Sequence, residues 1–335
     1  MRSGTVNAGT IDVFYEDHGN PQDPAIFLVM GYGCQLTHWP IDLVDGLVNN
    51  GFRVIRFDNR DAGLSGSGNK GLRVNLALSL AGPLLGLNVP VNYTLREMVY
   101  DTIGLADGLG IEHFHIVGAS MGGIISQMLS AMYPERVLSL TSIMSTTGHP
   151  KLPQPSAKVA LRLVTGGKGH DEDSAVQRDL TTWKLIAGPH YPINEPVLEQ
   201  QLRDNYRRAY RPAGTLRQLQ AIAATGSIET WVQQIQAPSL IIHGDADPLV
   251  RYEGGKRSAE LIENSRLQAV KGMGHSLPEA LLPDFVEWIS NHVTHSKHTP
   301  ASIWVPVANT SGTTTSDNNR KRSKAPARAQ KSAFA

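Results

Sequence analysis

The residues best suited to chemistry lie far apart in the chain. Ser120 sits in Gly118-Ala119-Ser120-Met121-Gly122, after the apolar run Phe114–Val117 and before a helical pattern starting near Gly123. A serine at the tip of a tight strand-to-helix turn is held clear of the sheet edge, and the flanking glycines let neighbouring backbone approach without a Cβ clash. A serine hydroxyl is a poor nucleophile until a base takes its proton, and an imidazole base needs a carboxylate to hold its tautomer. Both partner types occur downstream, acid first. Asp245 and Asp247 follow the apolar run Ser239–Ile242, and His275 follows Leu267–Val270. Asp245 comes directly after Gly244 and is expected to cap the turn, so Asp247, just before Pro248, is the expected acid. The run Val137–Ser145 leads into Thr146-Thr147-Gly148 and offers no competing carboxylate. Of the twelve histidines, His38, His113, His115, His149, His170, His190 and His243 are expected to be structural or surface groups, and His275 the base.

Acyl transfer also needs donors aimed at a developing oxyanion. The Met121 N–H, at the helix start, is one. The second is expected from the glycine-containing loop Met30-Gly31-Tyr32-Gly33 after the run Ala25–Met30, with the Tyr32 N–H first and that of Gly33 next. Cys34, beside this loop, is expected to be a small buried hydrophobe. The polar turn Asp58-Asn59-Arg60-Asp61-Ala62-Gly63-Leu64-Ser65 is expected to tie loops together by hydrogen bonds.

Strands and helices must carry these loops. Apolar runs at Ile11–Tyr15, Ala25–Met30, Arg53–Phe57, Phe114–Val117, Val137–Met144, Ser239–Ile242 and Leu267–Val270 alternate with helical patterns at Ile41–Asn49, Leu95–Leu109, Gly123–Met132, Glu253–Ile262 and Pro283–Val293. Such alternation implies βαβ units, an α/β class and a mostly parallel sheet. The acid and the base then fall in loops at strand C-termini, where open α/β sheets place their chemistry. Between Ser145 and Ala237 the rhythm stops. Helical patterns at Ser156–Val164, Asp173–Ile186, Glu195–Arg208 and Thr215–Ala224 read as a cap over that sheet edge. The expected division is 1–145 and 237–295 for the core, 146–236 for the helical cap and 296–335 for a basic, disordered tail.

The 335 residues carry 31 basic and 30 acidic side chains, so no net field argues for nucleic acid. The last 40 residues hold seven basic groups and one acid, leaving 1–295 acidic; Arg320-Lys321-Arg322 is read as part of a solvated tail. One cysteine excludes an intramolecular disulfide framework and a cysteine-rich zinc site. Neither a cofactor nor a metal is expected. No apolar run reaches the roughly 18 residues of a membrane span, and the first residues contain no apolar leader segment, so a cytoplasmic protein is expected. Leu76–Leu87 is apolar but too short to span. Packing against the cap is its expected role, and gripping an acyl chain at an entrance the alternative.

Together, Met30-Gly31-Tyr32-Gly33, Asn59-Arg60-Asp61-Ala62-Gly63-Leu64-Ser65, Gly118-Ala119-Ser120-Met121-Gly122-Gly123, Asp247 and Gly274-His275 resemble the α/β-hydrolase superfamily. The combination is similar to bacterial carboxylesterases and lipases related to aclacinomycin methylesterase. It extends over about residues 10–293, with the cap matching only in position and length. The resemblance implies an α/β-hydrolase fold with a late helical cap, and cofactor-free hydrolysis of a small-molecule carboxylic ester through an acyl-enzyme. The family's nucleophile, acid and base fall on Ser120, Asp247 and His275, and its oxyanion donors on Tyr32 and Met121. Many relatives have His-Gly where this chain has Met30-Gly31, so the support of that loop must differ. Carbon–carbon bond hydrolysis, lactone hydrolysis and perhydrolysis use the same three side chains. A non-catalytic ligand receptor on this fold is the reading from another class.

Overall fold

The computed structural model describes residues 1–68, 71–72, 89–165 and 171–296. The apolar segment Leu76–Leu87 and the tail beyond Ser296 lie outside the described residues.

Eight strands form one sheet among the described residues: β1 (Arg2–Asn7), β2 (Asp12–His18), β3 (Ala25–Val29), β4 (Arg53–Phe57), β5 (Phe114–Ala119), β6 (Val137–Ile143), β7 (Ser239–Gly244) and β8 (Ser265–Val270). Their spatial order is β1-β2-β4-β3-β5-β6-β7-β8. β2 is antiparallel to both β1 and β4, and every other pairing is parallel. The fold is therefore α/β, with a mostly parallel sheet.

Both faces of that sheet are buried, and the side-chain alternation of a strand sorts its residues between them. Phe27, Val29, Phe114 and Ile116 point into one core, where Phe27 and Phe114 rings lie 4.7 Å apart. It is closed by α2 (Leu95–Gly108) and α3 (Met121–Met132). Ile26, Leu28, Val117 and Ala119 point into the other, which is closed by α1 (Ile41–Asn49) and, after the last strand, the C-terminal helix Leu282–His295. Continuous Val/Ile/Leu/Phe runs in the parallel strands follow from this two-sided burial. Each such side chain removed from water contributes about 1.5–3 kcal/mol.

β1 has no counterpart among the runs read from the sequence. It is an edge strand whose residues are exposed or half-buried, with Val6 its only sizeable apolar group, so neither alternation nor hydrophobicity marks it. Backbone pairing to β2, Arg2 against Asp17 through Asn7 against Asp12, holds it in place.

Between β6 and β7 the chain leaves the sheet. Helices α4 (Ala157–Thr165), α5 (Glu172–Ile186), α6 (Glu195–Arg208), α7 (Pro212–Thr225) and the single turn α8 (Glu229–Val232) occupy this insertion, with no strand among its described residues. Prolines at the starts of α6 and α7 are tolerated because the first helical N–H groups have no intrahelical acceptor. Helix α9 (Tyr252–Leu261) joins β7 to β8, and the C-terminal helix is α10. Among the described residues, no helix is long and apolar enough to cross a membrane.

Candidate active site

Register places the loops. Val29 at the end of β3 pairs with Gly118 of β5, and Gly118 with Ser142 of β6. Ile143 pairs with Ile242, and Gly244 with Val270. The segments after β3, β5, β7 and β8 therefore emerge at one edge of the sheet. These are the loops that carry Tyr32, Ser120, Asp247 and His275.

Ser120 is the residue between β5 and α3, with φ 56° and ψ −119°. A non-glycine residue at positive φ is strained and persists only where its surroundings over-determine it. Its N–H donates to the Ile143 carbonyl at 2.9 Å, and its own carbonyl accepts from the Ser145 hydroxyl at 2.8 Å. A Cβ on Gly122 would strike the Val29 carbonyl oxygen, and one on Gly118 that of Gly122. The turn thus needs glycine on both sides for close backbone approach. Helix α3 begins at Met121, two residues before the expected start, which makes the Met121 N–H the first of the amides that a helix leaves without an intrahelical acceptor.

The hydroxyl of Ser120 lies 2.9 Å from His275 Nε2, and His275 Nδ1 lies 2.7 Å from Asp247 Oδ2. Asp247 is 1% exposed and His275 5%. The other carboxylate oxygen of Asp247 accepts from the N–H groups of Leu249 and Val250, each at 2.9 Å. Burial pushes the Asp247 carboxyl up, but the neighbouring His275 and the contacts from His243 and His275 outweigh it and hold the group well below the usual carboxylate range. Asp245 has a different place: it accepts the Gly272 N–H and so ties the acid loop to the base loop.

His243 brings a second imidazole to Asp247. It is fully buried, with Nε2 2.8 Å from the Val250 carbonyl and 3.5 Å from Asp247 Oδ2. Its position at the strand end, four residues before the acid, is the only sequence signal it gives.

The loop after β3 is held from several sides. The Asn59 side-chain amide donates to the Met30 carbonyl at 2.8 Å. Asp58 accepts from the N–H groups of Leu36 and Leu64, and the buried Arg60 grips Asp101 through two bonds of 2.6 Å. The polar turn at 58–65 is thus a tie between loops. From the insertion, the Gly33 N–H donates to Gln218 Oε1 at 2.8 Å. Burial pushes the Tyr32 phenol up to about 12, and the nearby Cys34 and Asp179 add to the shift. Cys34 is half-buried, and burial, followed by Asp179, pushes its thiol up to about 12.

A hollow of about 710 Å³ lies beside the acid loop, lined by Lys158, Arg162, Lys184, Ala246 and Pro248 among others. Neither Ser120 nor His275 lines it. The hydrogen-bond chain from Asp247 through His275 to Ser120 therefore lies outside the lining of that hollow. Among the described residues, no cluster of histidine, cysteine and carboxylates is placed to hold a metal ion.

A family model for the alpha/beta hydrolase fold matches residues 18–279. The chain belongs to that family. It is 24% identical over 315 residues to the rhodomycin D methylesterase of Streptomyces peucetius, covering 84% of this chain and 94% of that protein. The bifunctional esterase/perhydrolase of Acinetobacter calcoaceticus is 24% identical over 279 residues, covering 80% and 91%. The crystal structure of the enol-lactonase from Burkholderia xenovorans LB400 superposes with a TM-score of 0.67 at 22% identity, covering 88% of this chain and all of that one, which shows the shared fold. The family and its esterase-named relatives support an ester hydrolase.

Proposed function

We propose that this hydrolase cleaves small-molecule carboxylic esters through a covalent acyl-enzyme on Ser120. The observation that carries the reading is the continuous chain from Asp247 Oδ2 to His275 Nδ1 at 2.7 Å and from His275 Nε2 to Ser120 Oγ at 2.9 Å. In this reading Ser120 Oγ attacks the ester carbonyl while His275 Nε2 takes its proton. Negative charge moves to the carbonyl oxygen, where the Met121 and Tyr32 N–H groups receive it. The Gly33 N–H is already committed to Gln218, which favours Tyr32 as the donor from this loop. The imidazolium then protonates the departing alkoxide. Water enters, loses a proton to the same imidazole and releases the acid. Asp247 stays ionised throughout, holding the tautomer and balancing the imidazolium.

The same reading treats residues 1–145 and 237–295 as the catalytic core and 146–236 as a cap over the strand ends. The cap meets the base loop through main-chain bonds: the Gly274 N–H donates to the Ala187 carbonyl at 3.1 Å and the His275 N–H to that of Ile186 at 2.6 Å.

Replacing the nucleophile tests the proposal. Ser120→Ala is expected to fold and to lose roughly 10⁴-fold or more in kcat on p-nitrophenyl acetate. A fluorophosphonate should label the unaltered protein and not the variant. Near-normal turnover by Ser120→Ala would refute the acyl-enzyme.

A further inference from the structure

The hydrogen bonds that join the insertion to the loop after β3 converge on one side chain. Gln218 is fully buried in α7, where Gly214, Gln218, Ala221 and Thr225 share a face at helical spacing. Its Oε1 accepts the Gly33 N–H at 2.8 Å, and its Nε2 donates to the Arg60 carbonyl at 2.8 Å. One side chain therefore joins the cap to the candidate oxyanion loop and to the polar turn that supports that loop. We propose that Gln218 is a positioning residue for ester hydrolysis: from the cap, it sets the direction of the Tyr32 N–H by fixing the next peptide plane.

The geometry of the backbone gives the reason. Each peptide unit is planar, so two successive amides are related only by the φ and ψ of the residue between them. The Gly33 N–H belongs to the plane that follows Tyr32, and the Tyr32 N–H to the plane before it. Anchoring the first plane restricts the Tyr32 dihedrals and so aims the second. Gly33 itself has φ +70°, a conformation that glycine takes freely, so the plane carrying its N–H can turn against the one that follows unless it is anchored. Close packing adds to the anchor: a Cβ at Gly33 would lie 3.1 Å from the Thr215 methyl carbon of α7.

The surrounding bonds hold α7 where this clamp requires it. Arg217 grips Asp61 with bonds of 2.9 and 2.6 Å, and Arg211 donates to the Ser65 carbonyl at 2.6 Å. From α6, Gln35 and Thr37 are held through Asn205 at 2.6 and 2.5 Å. A serine hydrolase could carry its oxyanion loop on core contacts alone. Here a side chain of the cap anchors the loop at Gly33.

This inference rests on the acyl-enzyme reading, and its test separates the two. Gln218→Met keeps the length and removes both hydrogen bonds. Gln218→Asn, one methylene shorter, cannot reach both partners and serves if the Met variant does not fold. With p-nitrophenyl esters, Met or Asn is expected to lower kcat by about 10- to 100-fold with KM changed less than about threefold, because the oxyanion forms after binding. Amide exchange over residues 30–36 should speed up in the Met and Asn variants whether or not the protein turns over ester. A folded Met or Asn variant with unaltered kcat or with unaltered loop exchange would overturn the clamp. Faster loop exchange in a protein whose unaltered form cleaves no ester would sink the ester reading and leave the clamp standing.

Discussion

Asp247 and His275 stand 28 residues apart in the chain and 2.7 Å apart in space, each buried and each fixed by a second set of bonds. Leu249 and Val250 amides orient the carboxylate, and the Ile186 carbonyl receives the His275 N–H. Asp247→Asn keeps this shape but offers the imidazole an amide in place of a charge. It is expected to lower kcat by roughly 10³- to 10⁴-fold with a fold indistinguishable by circular dichroism. Asp245→Asn removes only the charge on a bond to Gly272 and is expected to cost less than about tenfold. The two kcat values on one ester decide which carboxylate serves the base.

Acid should unfold this protein earlier than its carboxylates alone predict. Burial pushes His115 down to about 4, with His292 adding to the shift, and burial likewise pushes His38 down to about 4. Both are then neutral in the fold and protonated in the unfolded chain between about pH 4 and pH 6.5. The unfolded state binds more protons in that window, so stability rises with pH across it and falls on acidification. Asp247 and Glu16 act at lower pH. Their folded values are depressed, Glu16 to about 2, so their contribution is present above the unfolded carboxylate value and is lost as pH falls through the folded one. Denaturant unfolding near pH 7 and pH 5 should show a clear loss at the lower pH. His115→Gln, which can still bond Ser139, should reduce that loss. An unchanged pH slope in the variant would remove His115 from this account.

Much of this arrangement is legible in the sequence because it is local. The motif around Ser120, the acids after β7 and His275 after β8 each follow an apolar run, and the rule that open α/β sheets use their strand C-termini puts them on one edge. The helices Ile41–Asn49 and Glu195–Arg208 have the bounds that their periodicity gives. What escapes is long-range or weakly patterned. β1 has too little apolar content to show. Gln218 reads as an ordinary polar residue on a helix until the fold brings Gly33, 185 residues earlier, to its side chain. His243 differs from other strand histidines only by what lies beyond its ring. Asp245 looks like a turn cap, and its bond to Gly272 depends on a loop 27 residues away.

Two glycines near Ser120 should respond differently to the same methyl group. At Gly122 the added carbon would strike the Val29 carbonyl, backbone that cannot yield without parting β3 from α3. Gly122→Ala is expected to destabilise by about 3 kcal/mol or more, or to prevent folding. At Gly31 the added carbon would meet Ser120 Cβ at 3.1 Å and Oγ at 3.7 Å. Gly31→Ala should fold, with a shift of a few tenths of an ångström falling on Ser120 itself. Thermal unfolding should therefore separate the two variants, and kcat should fall for Gly31→Ala by about tenfold or more despite a near-normal melting point.

Cys34 lies beside the loop that carries Tyr32, close enough to raise the question of a second nucleophile. Its environment answers it. With the thiol pushed up to about 12 by burial and then by the Asp179 charge, the protonated form prevails at pH 8, and the thiolate is the reactive form. Iodoacetamide at pH 8 is therefore expected to alkylate Cys34 far more slowly than it alkylates free cysteine. Esterase activity should survive an exposure that would consume an ordinary surface thiol. Cys34→Ala, which removes the sulfur and keeps a small apolar group against the core cluster that includes Met30, should hold kcat within about threefold of the unaltered protein. Rapid inactivation by iodoacetamide, prevented by Cys34→Ala, would instead mean that a labelled sulfur blocks the loop. Complete loss of turnover in Cys34→Ala would assign the sulfur a part in the chemistry that its raised pKa argues against.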